Sequence, residues 1–217
     1  LFDLDGTLAD TAPDLVAVLN LLLAEAGRPP MPFALARNAV SHGAVGLIRL
    51  GFGLPADAPV DAGLSQRFIA LYKKNGHSNS RLFINLPDIL AICSKINAGW
   101  GVVTNKPQAL TEPLLDHLGV LRSAGAVVSG DTLPQRKPDP APLELAARQV
   151  GVEPSSCIYL GDAERDIVAG RAAGMRTLST SYGYIRPGED LTTWQADATV
   201  DHPRKIEAMV LQMADKA

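Results

Sequence analysis

From residue 100 onward, short runs of apolar residues alternate with amphipathic stretches of helical length, a rhythm that leaves little room for anything but βα units. The runs are Trp100–Thr104, Ala126–Ser129, Cys157–Leu160 and Met175–Ser179. Each is too short for a buried helix and is apolar at consecutive positions, so both faces of the strand must be covered. Helices are expected over Asp88–Asn97, Pro107–Leu118, Pro140–Val150 and Glu164–Ala173, with Gly99, Gly119, Gly151 and Gly174 stopping them. A weak strand at 198–200 and a last helix over Lys205–Ala214 follow. Strands alternating with helices imply a parallel sheet.

Upstream the rhythm differs. Leu1–Leu4 reads as the end of a buried strand. Thr11-Ala12-Pro13-Asp14 then reads as a helix start, with Thr11 at the N-cap, and Gly27 as its stop. Apolar residues keep a helical period from there to about residue 82, and no strand is expected in that block. The expected fold is α/β: a Rossmann-like parallel sheet core with an all-helical cap inserted after the first strand. Residues 1–11 and 83–217 would form the core and residues 12–82 the cap.

Composition narrows the function. Lys and Arg number 20 against 23 Asp and Glu, a net charge of −3, without the dominant basic face that nucleic acid or a membrane surface requires. No apolar run approaches the ~18 residues of a membrane span. Cys93 and Cys157 each sit in an apolar segment and read as buried free thiols of a cytoplasmic protein. The chain opens at Leu1 inside a strand, so a few residues are expected to precede it, and the cysteine usage argues against secretion.

Open parallel sheets bind ligands beyond the carboxyl ends of their strands. The first strand ends in Asp3-Leu4-Asp5-Gly6-Thr7, with two carboxylates on one side of an extended chain. Gly6 permits a turn that frees N–H groups for an anion. The next strand ends in Thr104-Asn105-Lys106, Lys137 follows the Ala126 strand, and Gly161-Asp162 with Asp166 follow the Cys157 strand. Gathered carboxylates repel one another, and a divalent cation relieves this. Hard oxygen ligands favour Mg²⁺, which binds through one or two carboxylates plus substrate phosphate. A remaining carboxylate can attack phosphorus, while Lys137 and the Thr104 hydroxyl face the phosphoryl oxygens.

Taken together, these motifs resemble the haloacid dehalogenase superfamily, specifically its phosphoglycolate-phosphatase-like members with a helical cap. Asp3–Leu8 fits the first family motif, Thr104 the second, Lys137 the third and Gly161–Asp166 the fourth. The resemblance implies Asp3 as nucleophile and Asp5 as general acid/base, the latter protonated at the start. It implies phosphate binding by Thr104, with Asn105 beside it, and by Lys137. It also implies Mg²⁺ held by Asp3, the Asp5 carbonyl and Asp162, with Asp166 in the acidic site. The partner would be a small phosphorylated metabolite, and the protein a monomer or homodimer. The carboxylate at position 5 argues against the dehalogenase branch.

A second substrate reading comes from Tyr182–Pro187, Trp194–Asp197 and Val200–Pro203, which look closer to N-acetylmuramic acid 6-phosphate phosphatases of cell-wall recycling. A phosphomutase shares the four motifs. A non-catalytic regulatory module is disfavoured because no motif position is lost. Both leading substrates carry a carboxylate, so the cap should offer a donor or cation. Ser41, His42 and the backbone at Gly43 are the candidates, with Arg49 next. Gly51–Ala56 imitates a dinucleotide fingerprint in letters but follows a helix and contains Pro55. His77, His117 and His202 lack metal-ligand spacing.

Overall fold

The computed structural model describes residues 1–214. After Asp5 the chain forms β1 (Ala9–Asp10) and passes through α1 (Ala12–Glu25), α2 (Phe33–Arg37), α3 (Gly43–Phe52) and α4 (Ala62–Asn75). It returns in β2 (Arg81–Leu82), antiparallel to β1. It then alternates through α5 (Leu86–Lys95), β3 (Gly101–Val103), α6 (Gln108–His117), β4 (Ala126–Val128), α7 (Ala141–Val150), β5 (Ile158–Gly161), α8 (Glu164–Ala172) and β6 (Arg176–Thr180). β7 (Ala198–Val200) and α9 (Arg204–Ala214) complete it.

β3 pairs in parallel with β4, and β5, β6 and β7 pair in parallel in that order. Phe2 joins the two groups, bridging Val102 on one side and Leu160 on the other. Its N–H donates to Gly101 O at 2.9 Å, and the Asp3 N–H donates to Leu160 O at 2.8 Å. The first residues therefore run through the middle of the sheet, and Asp3 emerges at its carboxyl edge.

The sheet is covered on both faces. Phe2, Leu4, Val102, Leu160 and Leu178 pack with Ile89, Leu114 and Ile206 from α5, α6 and α9. On the other face Val103, Val128 and Tyr159 pack with Leu143, Ala147 and Ala169 from α7 and α8. The period of two along β5 sends Ile158 and Leu160 one way and Tyr159 the other. Each fully buried large apolar side chain contributes about 1.5–3 kcal/mol, so these two layers fix where the strand ends lie. Helices α1, α3 and α4 share a cluster of their own around Leu19, Leu23, Leu47, Ile48, Phe68 and Tyr72, joined from outside by Leu110 and Tyr184.

Two expectations need correction. The block 12–82 is not helical to its end, since Arg81–Leu82 is a strand. Two residues carry no period, and their pairing with Ala9–Asp10 is set by the fold. Thr11 does not cap α1 with its side chain. The Tyr184 hydroxyl does so instead, accepting from the Thr11 N–H at 2.6 Å and the Ala12 N–H at 2.9 Å and donating to Asp10 Oδ1 at 2.8 Å.

Candidate active site

At the carboxyl edge of the sheet, Asp3, Asp162 and Asp166 are all buried, and an oxygen from each lies within 4.8 Å of the others. Lys137 Nζ reaches into the group. It donates to Asp3 Oδ1 at 2.8 Å, Val103 O at 2.8 Å and Tyr159 Oη at 2.7 Å. Those bonds use its three protons. Asp166 Oδ1, 2.7 Å from the same ammonium, is an ion-pair contact without a hydrogen bond. Asp166 Oδ2 accepts from the Ala163 N–H at 3.0 Å. Asp162 Oδ2 accepts from Ser41 Oγ at 2.8 Å and the Tyr184 N–H at 2.9 Å, while its Oδ1 is buried without a partner.

Three buried carboxylates outweigh the Lys137 ammonium and the neighbouring Arg165 guanidinium here. Burial, then the carboxylates of Asp3 and Asp166, push the Asp162 carboxyl up to about 7. Burial raises Asp3 too, against the pull of Lys137. Arg165, half-buried beside them, is held more firmly protonated by Asp166, Asp3 and Asp162. The orphaned Asp162 Oδ1, an all-oxygen donor set and surplus negative charge fit a hard divalent cation. The Asp5 side chain is not part of this cluster. It turns to Lys106, whose Nζ donates to Oδ1 at 2.9 Å and Oδ2 at 3.2 Å, so only its main-chain carbonyl could serve a metal.

Gly6 lets the first strand come this close. Its φ is +87°, and a Cβ there would overlap Asp162 Oδ2 and lie 2.8 Å from Tyr184 Cδ2. Gly6→Ala is therefore expected to cost about 2 kcal/mol or more, from the left-handed backbone and from displacing Asp162. Urea unfolding measures this, and Mg²⁺ affinity should fall alongside it.

Asp3, Asp5, Thr104, Asn105, Lys106, Arg136 and Arg165 face a cavity of about 500 Å³. Across it stand Ser41, His42, Gly43 and Arg49, with Leu15, Val40, Phe68, Ile69 and Tyr72 between. The Asn105 side chain, which lines the cavity, also engages Lys137. Its Nδ2 donates to Lys137 O at 2.9 Å and its Oδ1 accepts from the Lys137 N–H at 3.1 Å, so the amide clamps the lysine's backbone. Thr104 is buried, and its hydroxyl accepts from the Lys106 N–H at 3.2 Å.

The expected substrate-reading residues also differ in detail. Ser41 is spent on Asp162 and is not a free donor. His42 Nε2 meets Arg186 Nη2 at 2.6 Å, and burial with the charges of Arg186, Arg165 and Arg49 lowers its pKa to about 4. His42 is thus a neutral acceptor at neutral pH, and the cation of that pair is Arg186. Gly43, with φ +62°, starts α3 at the cavity wall. Arg49 Nε donates to Ala58 O at 2.9 Å, and the side chain still lines the cavity.

Sequence reasoning gave no role to Lys106, Arg136, Arg165, Tyr159 or Tyr184. Lys106, Arg136 and Arg165 lie within or next to the motifs already singled out, and that adjacency was the available signal. Tyr184 lay in the stretch read for substrate preference, where nothing local announces a helix cap.

Comparison with known proteins gives the family. The family model for haloacid dehalogenase-like hydrolases matches residues 1–180. An N-acetylmuramic acid 6-phosphate phosphatase of Pseudomonas aeruginosa is 42% identical over 206 residues, covering 95% of this chain and 91% of the relative. A phosphoglycolate phosphatase of Xanthomonas campestris is 39% identical over 206 residues, covering 95% and 93%. A crystal structure from Haemophilus somnus, described as a predicted phosphoglycolate phosphatase, superposes with a TM-score of 0.83 at 27% identity, covering 96% of each chain. With its strand-end carboxylates, its lysine and this likeness along nearly its whole length, the chain belongs to the haloacid dehalogenase-like hydrolase family.

Proposed function

We propose that the protein is a Mg²⁺-dependent phosphomonoester hydrolase of small phosphorylated metabolites that works through an aspartyl-phosphate. The observation that carries this is the buried Asp3–Asp162–Asp166 group with Lys137 on Asp3, whose Asp3 lines the same cavity as Asp5. Asp3 attacks phosphorus and the bond to the leaving oxygen breaks. Asp5 gives that oxygen its proton. Water then attacks the aspartyl-phosphate, Asp5 takes up the proton, and phosphate leaves with Asp3 restored. Lys137 fixes one oxygen of Asp3, and Thr104 and Lys137 balance charge beside the phosphoryl group. Mg²⁺, when bound by Asp3, Asp162, Asp166 and the Asp5 carbonyl, offsets carboxylate repulsion and draws charge from the phosphoryl oxygens. Asp5 is ion-paired to Lys106 here, and the proton that it gives must sit on Oδ2, at the expense of the longer 3.2 Å bond and not of the 2.9 Å bond to Oδ1.

We read residues 1–11 and 83–217 as the catalytic core and 12–82 as a cap; 215–217 lie outside the described residues. The paired β1 and β2 form the double crossing between the two. The core meets only the phosphoryl group, so the cap wall of the cavity reads the rest of the substrate, and closing over it excludes water. Among the described residues no helix is long and apolar enough to cross a membrane. The reading assigns the enzyme to the cytoplasm, with Cys93 and Cys157 buried as free thiols.

Of the two substrates named for its relatives, the cavity favours the larger. Its volume and its lining of Leu15, Val40, Phe68, Ile69 and Tyr72 exceed what phosphoglycolate can fill and suit an acylated sugar acid. Phosphate release from the two compounds tests this. N-acetylmuramic acid 6-phosphate should give the higher kcat/KM, and a preference for 2-phosphoglycolate would overturn the choice. His42→Ala should lower kcat/KM for the true substrate by roughly 1–3 kcal/mol. It should barely change hydrolysis of a small aryl phosphate, which does not reach that wall.

A further inference from the structure

Lys106 is unassigned by the reaction above, yet it is almost as buried as the residues that are. Its side chain is 7% exposed. Its backbone is tied to the strand end: the N–H donates to Thr104 Oγ1, and the carbonyl accepts from the Gly130 N–H at 2.8 Å and Thr111 Oγ1 at 3.1 Å. Enclosure of the four-carbon stem confines its ammonium to a small region. There it meets Asp5 Oδ1 at 2.9 Å, Asp5 Oδ2 at 3.2 Å and Tyr72 Oη at 3.2 Å, and it lies 4.8 Å from the centre of the Tyr72 ring.

These partners belong to different parts of the chain. Asp5 follows the central strand, and Tyr72 sits on α4 at 1% exposure, with His77 edge-on at 4.9 Å. Asp5 Oδ1 also accepts from Thr11 Oγ1, at the start of α1. Oδ1 therefore has two donors, Thr11 and Lys106, whereas Oδ2 has the longer bond to Lys106. Two donors on one oxygen fix the carboxyl plane. One donor would leave it free to rotate, and an acid–base group out of line by about 1 Å loses much of its effect.

We propose that Lys106 is the positioning residue of Asp5, holding its carboxyl plane through Oδ1 and tying that orientation to helix α4 through Tyr72. This rests on the reading of Asp5 as general acid. It makes cap placement and acid placement one event. When α4 sits as described, Tyr72 and Asp5 share the ammonium. When α4 withdraws, the ammonium loses its hydroxyl and its ring, and its grip on Asp5 changes.

The test is the dependence of kcat/KM on leaving-group pKa, measured with aryl phosphates that carry no carboxylate. That parameter covers steps only through the first irreversible one, so it reports the proton given to the leaving oxygen. Lys106→Met should steepen the dependence. The poorest leaving group should lose about a hundredfold and the best less than about threefold, because a good leaving group needs little acid help. Tyr72→Phe should steepen it in the same sense, by about three- to tenfold at the poor end, and it carries the test if Lys106→Met does not fold. An unchanged or shallower slope overturns the proposal, including a uniform loss, which would mark Lys106 as a substrate-binding or structural group. Asp3→Asn is the control: if it keeps turnover, the reading of the reaction fails, not the role of Lys106.

Discussion

Asp3→Asn is expected to leave a folded protein with less than about 1% of wild-type turnover. An amide cannot form the phosphoryl-enzyme bond, and loss of a covalent step costs far more than the ~1.4 kcal/mol that corresponds to tenfold. Folding should not suffer. Asp3 is buried among like charges, and its carboxylate is the largest charge effect raising Asp162. Replacing it with a neutral group of the same shape removes that repulsion. Lys137 retains Val103 O and Tyr159 Oη as acceptors, with Asp166 beside it. The melting temperature of Asp3→Asn without added metal should equal or exceed that of wild type. A steep drop in Tm would mean that the Lys137–Asp3 pair holds the fold together.

The second large effect concerns the cation. A chelator should abolish turnover and Mg²⁺ restore it, whereas Ca²⁺, with more ligands and looser geometry, should not. A readout independent of activity follows from the carboxylates. The folded-state pKa of Asp162, about 7, lies above its ordinary value of 3.8. That group favours the folded state below pH 4, and its contribution is lost as pH rises through about 7. Bound Mg²⁺ removes this loss by favouring the carboxylate. His42 acts in the opposite sense: its pKa is lowered from 6.5 to about 4, so its contribution is lost as pH falls through that range. His42 affects both forms of the protein alike. The rise in Tm on adding Mg²⁺ should therefore grow as pH increases from about 5 to 8. At a hundred times Kd the metal should supply about 2.7 kcal/mol. A shift independent of pH would remove Asp162 from the metal site.

Much of this was legible in the sequence because of how the chain is buried. Strands covered on both faces must be apolar throughout, so Gly101–Val103 and Ile158–Gly161 stood out without any alternating pattern. Residues at the ends of such strands must converge, which brought Asp3, Thr104, Lys137 and Asp162 to one edge. What escaped depends on pairs set only by the folded chain. Thr11 looks like a helix cap, but its hydroxyl goes to Asp5 while a tyrosine 173 residues away satisfies the helix N–H groups. Asn105 looks like a phosphate donor, but its amide fits the backbone of Lys137 in both directions. Lys106 received no role from the sequence, and only the approach of α4 shows that it is enclosed.

The most direct test of the account is where phosphorus goes in a single turnover. Wild-type enzyme in excess over an aryl phosphate with a good leaving group, with Mg²⁺, can be quenched in acid within the first turnover and its peptides weighed. The account predicts one added phosphoryl mass on the peptide holding Asp3, acid-stable and lost at alkaline pH, and converted by borohydride to the homoserine form at position 3. A phosphoryl group on any other residue, or full release of the leaving group with no labelled peptide at any quench time, would contradict Asp3 as the nucleophile.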